Sequence, residues 1–219
     1  MQKLDQDITA LKQNLLEMGE RALGMVSTVL QALEERSTAQ LDRLREEEDW
    51  VNRAQVDIDR ETIRLITIYG PAAMDLRFLM MVARITSDLE RIGDLAINMW
   101  SHVEELSVAD GIKPLVDLPR MGELAIGMVR GSLISFRDGN ASLARTTLEQ
   151  DDDVDALYDS VKSDLVERMI ESPDTIHTAM ALISLARSLE RIADHSTNVC
   201  EEVIYVVEGV DIRHHMDEE

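Results

Sequence analysis

Met18-Gly19-Glu20-Arg21-Ala22-Leu23-Gly24-Met25-Val26 returns 103 residues later as Met121-Gly122-Glu123-Leu124-Ala125-Ile126-Gly127-Met128-Val129, with seven of nine positions identical. Leu89-Glu90-Arg91-Ile92-Gly93-Asp94 returns 100 residues later as Leu189-Glu190-Arg191-Ile192-Ala193-Asp194. Two motifs repeated in the same order mean two copies of one structural unit. Functional residues inside them then occur twice.

The first motif lies within a longer pattern. Leu4, Ile8, Leu11, Leu15, Met18, Ala22, Met25, Val29 and Ala32 alternate spacings of four and three, which predicts one long amphipathic helix. Ser37 or Thr38 is a candidate cap beyond it. Leu44, Val51, Ile58 and Leu65 mark a second helix that ends at Gly70-Pro71. A third carries Leu79, Val82, Ile85, Leu89, Ile92, Ala96, Met99 and Val103. Asp110-Gly111 through Pro114 reads as a connection.

The second unit repeats this plan. Its first helix covers about 116–137 and stops at Asp138-Gly139-Asn140; its second runs from about 141 to 171. Ser172-Pro173 signals the start of a third, which carries Leu182, Leu185, Leu189, Ile192, Ser196, Val199, Val203 and Val206. The first two helices match at an offset of 103 and the third at 100, so the second copy has a turn three residues shorter. The predicted fold is all-α, two tandem up-down-up three-helix bundles, spanning residues 1–109 and 115–210 with a tail at 211–219.

Composition narrows the function. Aromatics make up 3% of the chain while Ala, Leu, Met, Glu and Arg abound, a helix-forming balance. Forty-three acidic against 22 basic residues give a net charge of −21. Such a chain is repelled by nucleic-acid phosphates and by anionic membrane, so cations and basic protein surfaces are the expected partners. Cys200 is the sole cysteine, which excludes an intramolecular disulfide and a thiolate cage and fits a reducing compartment. The N-terminus lacks a secretory signature and no apolar run reaches membrane-spanning length, so the expected location is the cytoplasm, without membrane insertion.

The second motif carries the chemistry. Glu90, Asp94 and Asn98 stack on one helical face, as do Glu190, Asp194 and Asn198. In a chain this acidic such a face is ordinarily solvated and laced with ion pairs, here to Arg91 and Arg191. Recurrence argues for more. Asp151 and Asp155 on the second helix fall at about the same height as Glu190 across the turn, and Glu48 and Asn52 at the height of Glu90. Like charges one turn apart cost roughly 0.2–0.5 kcal/mol, a cost that a bound cation turns into affinity. All-oxygen ligation suits hard ions such as Mg, Mn, Ca or iron.

These twin motifs, together with Pro71-Ala72-Ala73-Met74-Asp75-Leu76-Arg77 before the third helix and the acidic starts of both second helices, make the chain similar to the PhoU family from about Asp5 to Arg213. The resemblance implies tandem three-helix bundles, often homodimeric. It implies a cytoplasmic regulator that damps phosphate uptake and phosphate signalling, acting with the ATPase subunit of a Pst-type phosphate ABC transporter and with a sensor histidine kinase. It also implies metal clusters on paired Glu/Asp-x-x-x-Asp motifs. Carried over by position, the ligands are Glu48, Asn52, Glu90 and Asp94 in one bundle, and Asp151, Asp155, Glu190 and Asp194 in the other. Asn52 departs from the acidic pattern, so the first bundle is expected to bind cations more weakly. His195, after the second motif, is either an added ligand or, as preferred, a solvated helix histidine.

Three functions compete: a non-catalytic adaptor with bound metal, a cation store or scaffold, and a carboxylate-bridged di-metal oxidase. The oxidase relies on Glu-x-x-His pairs, and no histidine here has a glutamate three residues before it. No phosphate-binding glycine loop or nucleophilic triad is present. Phe78-Leu79-Met80-Met81 reads as core filling, and Arg213-His214-His215-Met216 as a frayed end.

Overall fold

A computed structural model describes residues 2–108 and 117–212. The expected connection at Asp110–Pro114 and the Arg213–Met216 stretch lie outside the described residues. The first repeat is α1 (Gln2–Glu35), α2 (Leu41–Tyr69) and α3 (Ala73–Val108). The second is α4 (Asp117–Asp138), α5 (Ala141–Leu148), α6 (Asp151–Glu171) and α7 (Ile176–Glu208), the last entered through a 3-10 turn at Pro173–Thr175. No strand occurs among the described residues, and no helix is long and apolar enough to cross a membrane.

The predicted seams form the core. In α1 every seam residue is buried except Ile8, which packs partly against it, and Leu44, Val51, Ile58 and Leu65 of α2 are buried throughout. Gly70 ends α2 with φ 50°, its N–H donating to the Ile66 carbonyl at 3.1 Å. This left-handed cap is where glycine is favoured. Asn140 caps α5 through Oδ1, which accepts from the Leu143 N–H at 3.0 Å. The cap expected at Ser37 or Thr38 is not formed: α2 begins after Gln40, which makes no side-chain capping bond. Of the Phe78–Met81 stretch, Leu79 and Met81 are buried and Phe78 packs on the core, whereas Met80 faces solvent.

One prediction needs correction. The second helix of the second repeat is not continuous over 141–171 but breaks at Glu149-Gln150 into α5 and α6. Thr147 is buried where a Cβ on Gly131 of α4 would stand, so α5 is drawn tight against α4. Three consecutive aspartates, Asp151, Asp152 and Asp153, then fill the first turn of α6. Aspartate is a poor helix-interior residue but favours a positive helix N-terminus. The first repeat has Glu46, Glu47 and Glu48 within an unbroken α2.

The two repeats share one core. α3 lies antiparallel to α7: Arg84 Nη1 donates to Glu202 Oε1 at 2.8 Å, and Asp88 meets His195 further along. α1 and α4 meet through the repeated glycine motif. A Cβ on Gly122 would stand 2.8 Å from Leu30 Cδ1, and one on Gly19 would collide with Leu133. These two contacts are the same contact, exchanged between copies. The motif's second glycine, Gly24 or Gly127, faces open space.

Candidate metal centre

The α6–α7 pair gathers the four carboxylates predicted for the second repeat. Asp151 feels Asp155, Asp194 and Glu190; Asp155 feels Asp194; and Glu190 feels both Asp194 and Asp155. Burial, reinforced by this mutual repulsion, pushes the Asp151 carboxyl up to about 6 and raises Asp155 and Glu190 as well. Asp152, unremarked in the sequence reading, adds to the negative field on both Asp151 and Asp155. Asp151 Oδ1 is buried without a hydrogen-bond partner, an expensive state for a carboxylate oxygen.

In the first repeat, Glu48 of α2 and Glu90 of α3 are both raised by burial first and by Asp94 second. Arg91 crosses this cluster, 3.6 Å from Glu90 and 3.8 Å from Asp94. The first group of acids therefore already has a cation of its own. Arg187 and Arg191 ease Glu190 only through space. Asn52 is half-buried, and no side-chain bond ties it to the three acids. The helices thus bring seven carboxylates to two levels of the body. Among the described residues, no three Asp, Glu, His or Cys side chains are converged tightly enough to ligate one ion as they stand. Mutual repulsion makes closer convergence costly, so ligation of one ion would require the side chains to turn inward.

Two expectations change. His195 is not the solvated histidine preferred from the sequence: its Nδ1 lies 2.9 Å from Asp88 Oδ1, and both side chains are mostly buried. The carboxylate oxygen is the acceptor, so Nδ1 carries the proton. Asn198 donates to the same oxygen at 3.0 Å and so turns away from Glu190 and Asp194. Asp88, Asn198 and His195 form a polar clasp between the repeats. Asp88 stands immediately before the first hexapeptide, but only the antiparallel approach of α3 and α7 marks it out, and no spacing in the sequence encodes that approach.

The description "PhoU domain" matches residues 15–103 and again 118–203. The chain belongs to the PhoU family. A phosphate-specific transport system accessory protein PhoU homolog from Aquifex aeolicus is 35% identical over 212 residues, covering 97% of this chain and 96% of the relative. A homolog of the same description from Pseudomonas aeruginosa is 33% identical over 215 residues, covering 97% and 88%. The crystal structure of PhoU from Pseudomonas aeruginosa superposes with a TM-score of 0.90 at 32% identity, over 94% of this chain and 99% of that one. The phosphate transport system regulatory protein PhoU from Streptococcus pneumoniae gives 0.88 at 26% identity, over 95% and 99%. The all-α architecture of two PhoU repeats expected from the sequence is therefore the fold of the family.

Proposed function

We propose that this protein is a cytoplasmic, non-catalytic regulator of phosphate uptake and phosphate-responsive signalling. It binds the ATPase subunit of a phosphate ABC transporter and a sensor histidine kinase. The observation that carries the reading is the double PhoU-domain match, joined to near-full-length relatives described as accessory proteins of phosphate-specific transport. The test is deletion of the gene with a phosphate-responsive reporter. Derepression at high phosphate, reversed by the wild-type gene, is the expected result; an unchanged reporter overturns the assignment.

Bound metal is the second part of the proposal. Asp151, Asp155, Glu190 and Asp194 would hold a hard cation such as Mn, Mg, Ca or iron. The all-oxygen donor set, the orphaned Asp151 oxygen and the lack of a paired arginine support this. The ion would neutralise the repulsion between α6 and α7 and so stiffen that face for a partner. Glu48, Glu90 and Asp94, with Asn52, would form a weaker counterpart. A cation store is the rival reading. Glu190→Ala and Asp194→Ala variants that lose metal and also lose repression favour regulation over storage.

A further inference from the structure

One cleft between α3 and α7 has an internal control in the duplication. Where α3 begins and α7 finishes, Leu76, Arg77, Met80, Arg84, Glu202 and Tyr205 line a cleft of about 330 Å³. The 100-residue offset carries Arg77 onto His177, Met80 onto Met180 and Arg84 onto Ser184, and it carries His102 onto Glu202 and Glu105 onto Tyr205. Aliphatic side chains face water at both ends: Leu76 and Met80 at one, Ile176 and Met180 at the other, all between 38% and 51% exposed. The positions equivalent to the two arginines hold none at the second end. The fold closes α3 on α7 there without guanidinium groups, so packing alone gives no reason for them at the first.

Arg84 is already committed, its Nη1 donating to Glu202 Oε1 at 2.8 Å. Arg77 is not. It is half-buried, its guanidinium 5.4 Å from the centre of the Tyr205 ring, and its Nη1 comes within 3.2 Å of where a Cβ on Gly209 would stand. The ring and the bare glycine seat the group, yet no hydrogen bond or ion pair among the described residues takes its donors. In a chain with 43 acidic and 22 basic residues, an arginine without a carboxylate is a departure. A guanidinium partly withdrawn from water with its donors unanswered is costly. Its planar fork fits one carboxylate through two parallel bonds. Leu76 and Met80 beside it supply the apolar contact that makes such a pair strong at an interface.

We propose that this cleft docks the ATPase subunit of the phosphate transporter by receiving one carboxylate flanked by aliphatic side chains. The proposal rests on the adaptor role argued above, and on relatives described as accessory proteins of phosphate-specific transport. The carboxylate pairs with Arg77, and its aliphatic neighbours cover Leu76 and Met80. Only one cation is left over in the cleft, and the body as a whole carries −21, so a strongly acidic segment is repelled. A single acid in an otherwise apolar stretch is the chemistry that fits. The matching end of the body, with His177 and Ser184, lacks this fork and does not take part.

The test is calorimetric titration of the full-length protein with the purified ATPase subunit. Arg77→Glu and Met80→Asp, each with an unchanged circular dichroism spectrum and melting midpoint, are expected to bind roughly tenfold more weakly or worse. Arg77→Lys keeps the charge but loses the fork, and is expected to fall between them and the wild type. His177→Glu and Met180→Asp, the same changes at the other end, are expected to bind as the wild type does. Should Arg77→Glu and Met80→Asp bind normally, or both ends weaken binding alike, the docking site is overturned while the adaptor role stands. Sedimentation of the protein alone that shifts with Arg77→Glu would give the cleft to a second copy and overturn it too. A wild type that does not bind the subunit overturns the adaptor role itself, and this docking with it.

Discussion

Leu133 of α4 lies directly over Gly19 of α1, and the duplication carries this pair onto Leu30 over Gly122. The nonapeptide that reveals the repeat thus also lies on one of the surfaces by which the repeats touch. Gly19→Ala is expected to cost ~1–3 kcal/mol, as for overpacking a filled core, and to lower the melting midpoint by roughly 2–4 °C per kcal/mol. Adding Leu133→Ala should recover part of the loss. Gly24→Ala is the control: its Cβ meets nothing within 4 Å, so the helix gains up to ~1 kcal/mol of propensity. A thermal melt that lowers both glycine variants equally would refute the reciprocal packing.

Burial holds the Asp151 carboxyl up at about 6, above the ordinary aspartate value of 3.8. Between those values the folded protein keeps a proton that the unfolded chain has released. The stability this gives is present at low pH and is lost as pH rises through about 6. Without metal, the melting midpoint of the wild type relative to Asp151→Asn is therefore expected to fall between pH 4.5 and pH 7. Calorimetry across that range checks the sign; a difference that does not change with pH would sink it.

On the proposed metal role, proton and cation would compete for the same oxygens. Stabilisation by added Mn is expected to be full above pH 7 and to fade below about pH 6, where Asp151 is protonated. Asp151→Asn should remove most of the shift at every pH. Equal Mn stabilisation at pH 5 and pH 7.5 would separate the cation from this carboxyl.

Arg91 lies within ion-pair distance of both Glu90 and Asp94, so on the proposed metal role the first repeat would be the weaker binder. Calorimetric titration with Mn is expected to show one stronger event in the second repeat and a weaker one in the first. Arg91→Ala should strengthen the weaker event while Arg191→Ala changes little. Two identical events in the wild type would count against both this account and the role given to Asn52.

Glu202 sits almost fully buried opposite Arg84, across the line between repeats. Arg84→Ala removes its nearest cation and is expected to cost about 1–3 kcal/mol, tempered because Arg84 itself is half exposed. Denaturant melts measure this, and a loss below roughly 0.5 kcal/mol, the range of an exposed pair, would mean that the bond is peripheral.

Much of this molecule was legible in the sequence, because its seams obey a helical period without interruption. Leu44, Val51, Ile58 and Leu65 could belong only to one buried stripe, and they do. Gly70 and Gly139 stop helices where backbone chemistry says they should. The break at Glu149-Gln150 was hidden because neither residue is a helix breaker; its cause is Thr147 seated on Gly131, a contact between distant segments. His195 was misread for the same reason, since its partner Asp88 lies 107 residues away. Periodicity tells which face of a rod is apolar, not which rod lies beside it. The carboxylates were found because they are local, four apart on single helices. The arginine that tempers the first group, although inside its motif, could not be weighed until side-chain directions were known.

The antiparallel union of α3 and α7 has a last consequence. Neither half owns its own interior, so a scissored gene encoding only one of them leaves an oily flank where its twin should stand. Heating should show a single cooperative endotherm rather than two, and an ion captured at one end should slow amide exchange in the other half as well.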